Sequence, residues 1–173
     1  SLFAAFIAVL GLAPKVMLAS GVPITAQSMG IMLCGTVLGA KRGALAVLLF
    51  ITLTAFGLPL LSGGRGGLGV FASPSVGFIV GFPLAAFVAG WITSKLKLIN
   101  VFYSSLLGAL VGGILILYIP GIVGMSIMLD KSISEAALIA LIYLPGDCIK
   151  AFLCAMLTHT LFKLRPENVL SRI

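Results

Sequence analysis

Asp147 and Lys150 stand three residues apart in the stretch YLPGDCIK, inside otherwise apolar sequence. That spacing puts both side chains on one face of a helix. The Pro145-Gly146 pair just before them marks a helix start, where the positive end of the helix dipole favours an aspartate. A charged side chain within a membrane segment costs about 2.5–3.5 kcal/mol on insertion scales, so such residues face the bundle interior and pair. Asp147 offers acceptors; Lys150 offers three donors and a charge. Together they form either a self-satisfying ion pair or a polar site for a ligand, and the ligand site is the favoured reading.

A second chemistry-bearing stretch is SGGRGGLGVF, Ser62 to Phe71. Its glycines allow close backbone approach, so the N–H groups of Gly66 and Gly67 are candidates to point at a ligand. Arg65 can grip a carboxylate through two parallel hydrogen bonds. The alternative is a flexible outer loop. A third stretch, VPITAQS from Val22 to Ser28, places Thr25 and Gln27 where they either line the same cavity or bond to neighbouring helices. The one histidine, His159, lies twelve residues past Asp147, about 18 Å further along a helix. It is read as a packing or interfacial residue. No nucleophile–base pair stands out, so no catalytic residue is assigned. A lone histidine leaves no His-based metal cluster, and Cys34, Cys148 and Cys154 are read as buried thiols.

These residues need a frame of membrane helices. Of 173 residues 61% are hydrophobic and 9% charged, with mean hydropathy +1.27. A soluble domain carries about 25% charged residues. Apolar runs of about 20 residues imply helices rather than a barrel. The expected fold is a single domain, residues 1–173, an all-α compact bundle of six transmembrane helices with a glycine-rich outer loop between the third and fourth.

The runs are Leu2–Ala13, Ile24–Ala40, Gly43–Leu61, Pro74–Thr93, Ile99–Ile119 and Pro145–Leu164. The first is read as a retained helix that begins earlier, not as a cleaved signal peptide. Pro120-Gly121 follows the fifth run, residues 121–134 are expected to form a loop, and a new helix is expected to start where Ser132 and Glu135 have capping-box spacing. Lys41, Arg42, Lys95, Lys97, Lys163, Arg165 and Arg172 fall on one side of the six spans; Lys15, Arg65 and Lys131 fall on the other. The positive-inside rule then puts both termini in the cytoplasm. The net charge of +7 reflects these short basic groups and not nucleic-acid binding. Gly35/Gly39, Gly77/Gly81 and Gly108/Gly112 have GxxxG spacing, read as helix packing within the chain. The looser pair Ala4/Ala8 is the candidate for docking a partner. No GxxxxGK[ST] occurs, so the chain has no recognisable ATP site of its own.

Three stretches, VPITAQSMGIMLCGTVLG, GGRGGLGVFASPSVGFIVGF and LPGDCIKAFLCAML, resemble the signature regions of the BioY family. These are the biotin-specific substrate-binding S components of energy-coupling-factor (ECF) transporters. The resemblance runs through almost the whole chain in order and spacing, and residues 95–135 add little to it. It implies a biotin pocket near the outer face of a bacterial cytoplasmic membrane. It implies an energising module of a transmembrane coupling protein and two ATPase subunits, which use the ATP, with no cofactor on this chain. It also implies docking to the coupling protein through small residues of the first helix, here Ala4 and Ala8, although the fuller alanine motif is missing. SPSVG stands where many members have GPTGG. On this reading Asp147 accepts from the ureido N–H groups of biotin and Lys150 donates to the ureido oxygen. Tyr143 and Phe71 wall the ring and tail, and Arg65 or loop N–H groups meet the carboxylate; Lys150 and Arg65 can exchange roles. The rival readings are an S component for another small vitamin, an intramembrane enzyme using Asp147 and Lys150 as acid and base, and a structural membrane subunit.

Overall fold

The computed structural model describes residues 1–13, 16–17 and 23–173. Pro14, Lys15 and Val22 lie outside the described residues. The helices in order are α1 (Leu2–Leu10), α2 (Gln27–Leu38), α3 (Ala40–Ala55), α4 (Val76–Lys95), α5 (Val101–Leu110), α6 (Leu117–Leu129), α7 (Ile133–Leu141) and α8 (Leu144–Leu164). Between α1 and α2 two short strands, β1 (Val16–Met17) and β2 (Pro23–Ile24), pair antiparallel with Val16 opposite Ile24. The all-α expectation is otherwise met. Helix α4 is the hub, packed by α2, α3, α5 and α6; α8 lies against α2 and α5.

Among the described residues two helices are long and apolar enough to cross a membrane: Val76–Lys95 and a continuous helix, Val101–Leu129. Helices α7 and α8 meet at 55° and together would make a third span. The other three of the six expected spans are shorter, α1 with 9 residues, α2 with 12 and α3 with 16.

Two expected boundaries are corrected. The fifth helix does not stop at Ile119, and 121–134 is not a loop: helix continues through Pro120 to Leu129, where Asp130 ends it in the left-handed region. Proline lacks an N–H and its ring crowds the carbonyl four residues back. Here the turn ending at that carbonyl, Val111–Ile116, is a π-helix, a wider turn that absorbs the crowding. Tertiary packing then holds the segment. A Cβ on Gly77 would lie 1.9 Å from the Pro120 oxygen, so α4 and α6 touch backbone to backbone. The second correction is at Lys41-Arg42. These charges do not end α2; they are exposed in the first turn of α3. The break is Gly39, at φ 83° and ψ 176°, a conformation essentially restricted to glycine. Gly39 therefore breaks the helix, and its backbone also packs: a Cβ on Gly90 would lie 2.5 Å from the Gly39 carbonyl carbon. Gly35 packs against the Ala86 oxygen, and Gly108 and Gly112 against the backbone of Ala89 and Ala85.

The chain breaks at Ile142-Tyr143, just before the expected Pro145-Gly146, which sits in the first turn of α8, and Ser132 and Glu135 form the reciprocal capping box. The C-terminal segment closes the opposite end of the bundle. Ser171 donates from N to the Val37 oxygen at 3.0 Å and from Oγ to the Thr36 oxygen. Arg172 donates to the oxygens of Leu96 and Ile99 at 2.8 and 2.5 Å. The α2–α3 joint, the α4–α5 joint and the chain end thus share one face.

Candidate ligand site

Five segments converge on a cavity at the end opposite that face. Ile24, Thr25, Gln27 and Ser28 come from the start of α2, and Leu61, Ser62 and Arg65 from the glycine-rich loop. Ser75, Phe78, Ile79 and Phe82 come from α4 and its approach, Leu117 from α6, and Tyr143, Asp147 and Lys150 from the start of α8. The cavity is about 80 Å³. Small-molecule sites usually hold about 300–1,000 Å³, so a vitamin-sized guest requires the loop above it to shift.

At its polar wall Asp147 and Lys150 form the ion pair expected from their spacing, 2.9 Å apart, with side chains 9% and 16% exposed. Ser28 completes a triangle. Its hydroxyl donates to Asp147 Oδ1 at 3.3 Å and accepts from Lys150 Nζ at 3.0 Å. The other carboxylate oxygen, Oδ2, accepts from the Tyr118 hydroxyl at 2.8 Å. Helices α2, α6 and α8 are therefore joined through one carboxylate. The group is net neutral, which is what lets two charges sit out of water. Among the described residues Lys150 uses two of its three N–H donors, and Asp147 keeps lone-pair capacity beside them. A neutral guest group bearing both N–H donors and a carbonyl acceptor matches that surface.

The facing wall is aromatic. Phe78 makes edge contacts with Tyr118 and Tyr143, centroids 6.1 and 6.3 Å apart. Arg65 sits at the mouth, half-buried. A tight backbone pairing of Leu61 with Arg65 holds it, with Gly63 and Gly64 turning the chain at φ 80° and 69°. Its Nε donates to the Ser62 oxygen at 3.4 Å, and no ion pair involves it among the described residues.

The structure thus brings Asp147, Lys150, Tyr143, Arg65 and Gln27 to one cavity. It does not bring Gly66, Gly67 or Phe71 there. The Gly67 N–H donates to the Thr54 oxygen at 2.7 Å, inside the loop. Gly66 lies so close to the Leu58 oxygen that a Cβ would meet it at 2.2 Å. Phe71 packs on the core from a 3-10 turn, Leu68–Ala72. Gln27 lines the cavity, but its amide is already engaged. It donates to the oxygens of Ile7 and Leu60 at 3.3 and 2.9 Å and accepts from the Ser62 N–H at 3.0 Å.

Ala4 is buried and Ala8 is half-buried against the core, so this pair packs α1 onto its own chain. Of the cysteines, Cys34 and Cys154 are buried as expected, but Cys148 is exposed; all three are free. His159 packs against the Phe102 ring, far from the cavity, centroids 6.4 Å apart. No group of three metal-ligating side chains occurs among the described residues. The sequence reading missed Ser28, Phe78 and Tyr118. Ser28 and Phe78 belong to the quoted motifs and follow helical spacing; Tyr118 lies in an apolar run that gives no such signal.

Comparison with known proteins agrees along the chain. The sequence model of the BioY family matches residues 1–167. A biotin transporter BioY of Rhodobacter capsulatus is 45% identical, over 99% of this chain and 95% of its own length. One of Rhizobium etli is 47% identical, over 91% of this chain and 87% of its own. The crystal structure of the S-component for biotin from an ECF-type ABC transporter superposes with a TM-score of 0.88 at 33% identity. That match covers 94% of this chain and 87% of the other.

Proposed function

The chain belongs to the BioY family, and from that premise we propose that it is the substrate-binding S component of an ECF-type transporter that takes up biotin. Its family and relatives are transporters and not enzymes. The observation that carries the biotin reading is the neutral Asp147–Lys150–Ser28 cluster at the wall of the cavity. Biotin presents a ureido ring with two N–H donors and one carbonyl. Asp147 accepts one ureido N–H at the lone pair its three partners leave open, and the remaining Lys150 donor meets the carbonyl oxygen. Phe78 and Tyr143 flank the apolar thiophane. Arg65 at the mouth takes the tail carboxylate as a charge-assisted pair.

No covalent chemistry is involved, and biotin leaves as it entered. The glycine-rich loop is the outer gate. We read α1, α2 and α3 as short spans beside α4, the Val101–Leu129 helix and the bent α7–α8 pair, six in all. The basic face made by the α2–α3 joint, the α4–α5 joint and the C-terminal segment lies in the cytoplasm by the positive-inside rule. A transmembrane coupling protein and two ATPase subunits supply the energy. Half-buried Ala8 and the exposed strip of α1, Leu2, Ala5, Phe6 and Val9, offer the coupling protein a surface.

The test is a calorimetric titration of purified chain, stripped of co-purified ligand, with biotin and with a panel of unrelated vitamins. Saturable binding of biotin alone supports the reading. A folded, ligand-free chain that ignores biotin sinks it.

A further inference from the structure

The end opposite the ligand cavity carries a second cleft, of about 380 Å³, between the start of α5 and the end of α8. Its polar lining is Lys97, Asn100, His159, Lys163 and Arg172. Three of these are cations, and no carboxylate side chain lines the cleft with them. Glu167, near the same end, sits 3.7 Å from Arg165 instead. The Arg172 guanidinium donates to the main-chain oxygens of Thr93, Leu96 and Ile99, and Lys97 Nζ donates to the Ile173 main-chain oxygen at 2.6 Å. Three internal carbonyls orient the Arg172 guanidinium without neutralising it. Two covered nitrogens on the lining residues, His159 Nδ1 and Arg172 Nε, have no hydrogen-bond partner. Asn100 caps α5 through Oδ1, accepting from the Phe102 N–H, which leaves its amide N–H groups for another acceptor. The cleft is therefore a concave set of donors with an excess of cationic side chains.

Its surroundings define the kind of anion. Leu98 and Ile99 at the rim are exposed, Leu98 completely at 104%. Further up α8, Phe152 and Met156 are exposed on the outside of the bundle, and Phe152 lies against Phe102 of α5. An apolar track thus leads from the cleft along the membrane-facing surface. A soluble anion has no use for that track.

We propose that this cleft binds the phosphodiester headgroup of an anionic phospholipid, with its acyl chains laid along α5 and α8. Basic pockets between membrane helices are suited to such headgroups. Bidentate N–H donation from Arg172 is limited by its carbonyl partners, so the mobile ammonium groups of Lys97 and Lys163 supply most of the attraction. The inference rests on the chain lying in a membrane and does not depend on the identity of the vitamin.

The test uses full chain in detergent, titrated with short-chain phosphatidylglycerol, with phosphatidylcholine and with inorganic phosphate, bound lipid being read by native mass spectrometry. Wild type is expected to retain phosphatidylglycerol and not phosphatidylcholine, and inorganic phosphate is expected not to displace the lipid. Lys97→Gln with Lys163→Gln should weaken phosphatidylglycerol about thirtyfold, given the usual contribution of a lysine at an anionic surface. Lys41→Gln with Arg42→Gln removes the same charge from the same end but outside the cleft, and should change it less than about twofold. A melting curve of each variant reports folding independently, and the single lysine variants stand in if a pair fails to fold. Equal weakening by the two pairs would mean diffuse attraction and overturn the site. Equal binding of phosphatidylcholine, or displacement by inorganic phosphate, would overturn the anionic-lipid assignment.

Discussion

Replacing Asp147 with Asn keeps the shape of the side chain and removes its charge. In the wild type this carboxylate accepts from Lys150, Ser28 and Tyr118. The amide retains one acceptor oxygen, so at least one of the three donors loses its partner. Breaking a buried pair by removing one charge costs about 3–5 kcal/mol. Lys150 is 16% exposed and has a flexible stem with which to reach water, so the low end of that range applies. The binding cost is separate. A hydrogen bond to a charged group contributes about 1.5–3 kcal/mol, so loss of the carboxylate under the ureido N–H weakens biotin about 10- to 150-fold.

Calorimetry on ligand-stripped Asp147→Asn measures that affinity, and a melting curve measures the stability. The double variant, Asp147→Asn with Lys150→Gln, separates the two effects. It removes the uncompensated lysine charge, so it should recover much of the stability and none of the affinity. Two results would refute the reasoning. One is a folded Asp147→Asn protein with wild-type affinity. The other is a double variant that recovers affinity along with stability, since a pair that only satisfies itself would behave that way.

Two further changes probe the groups around the pair. Tyr118→Phe removes the hydroxyl that bonds Asp147 but keeps the ring against Phe78; biotin affinity should fall about tenfold, with the aromatic near-UV circular dichroism little changed. Gln27→Leu removes the bonds that hold Leu60 and Ser62 to α2; at about 1 kcal/mol per neutral bond, biotin dissociation measured by displacement should quicken by about fivefold or more.

The legible parts of this molecule were those set by local chemistry. Asp147 and Lys150 meet because three residues of helix fix their separation, whatever surrounds them. The capping box at Ser132 and the helix start marked by Pro145 are equally local. What the sequence did not disclose depended on partners distant in the chain. Pro120 reads as a helix stop until the π turn before it and the bare backbone of Gly77 beside it are seen together. Tyr118 reaches Asp147 across 29 residues, with nothing in its neighbourhood to announce the contact. Gly66, Gly67 and Phe71 show a different limit. Composition reveals that a glycine-rich backbone has unusual freedom, but not whether that freedom serves a ligand or the loop itself. Here the Thr54 oxygen takes the Gly67 N–H. Ala4 and Ala8 make the same point for small residues, which allow close approach without saying to whom.

Gln27 links these levels. Its amide bonds the last turn of α1 through the Ile7 oxygen and the entrance of the gate through Leu60 and Ser62. Packing reinforces the link, because a Cβ on Gly11 would lie 2.6 Å from Gln27 Nε2 and 2.8 Å from the Leu60 oxygen. The end of α1, the start of α2 and the loop bearing Arg65 therefore meet at one side chain with no slack. A guest larger than the enclosed space must move that loop, and moving it strains the Gln27 bonds. A partner that displaces α1 strains the same bonds from the other side. Each bond is worth only about 1 kcal/mol net, so the clamp can hold the gate at rest and still yield to a docking event. If the chain works as proposed, these shared bonds would make occupancy of the cavity and the position of α1 depend on each other, with no need for a long-range path through the bundle.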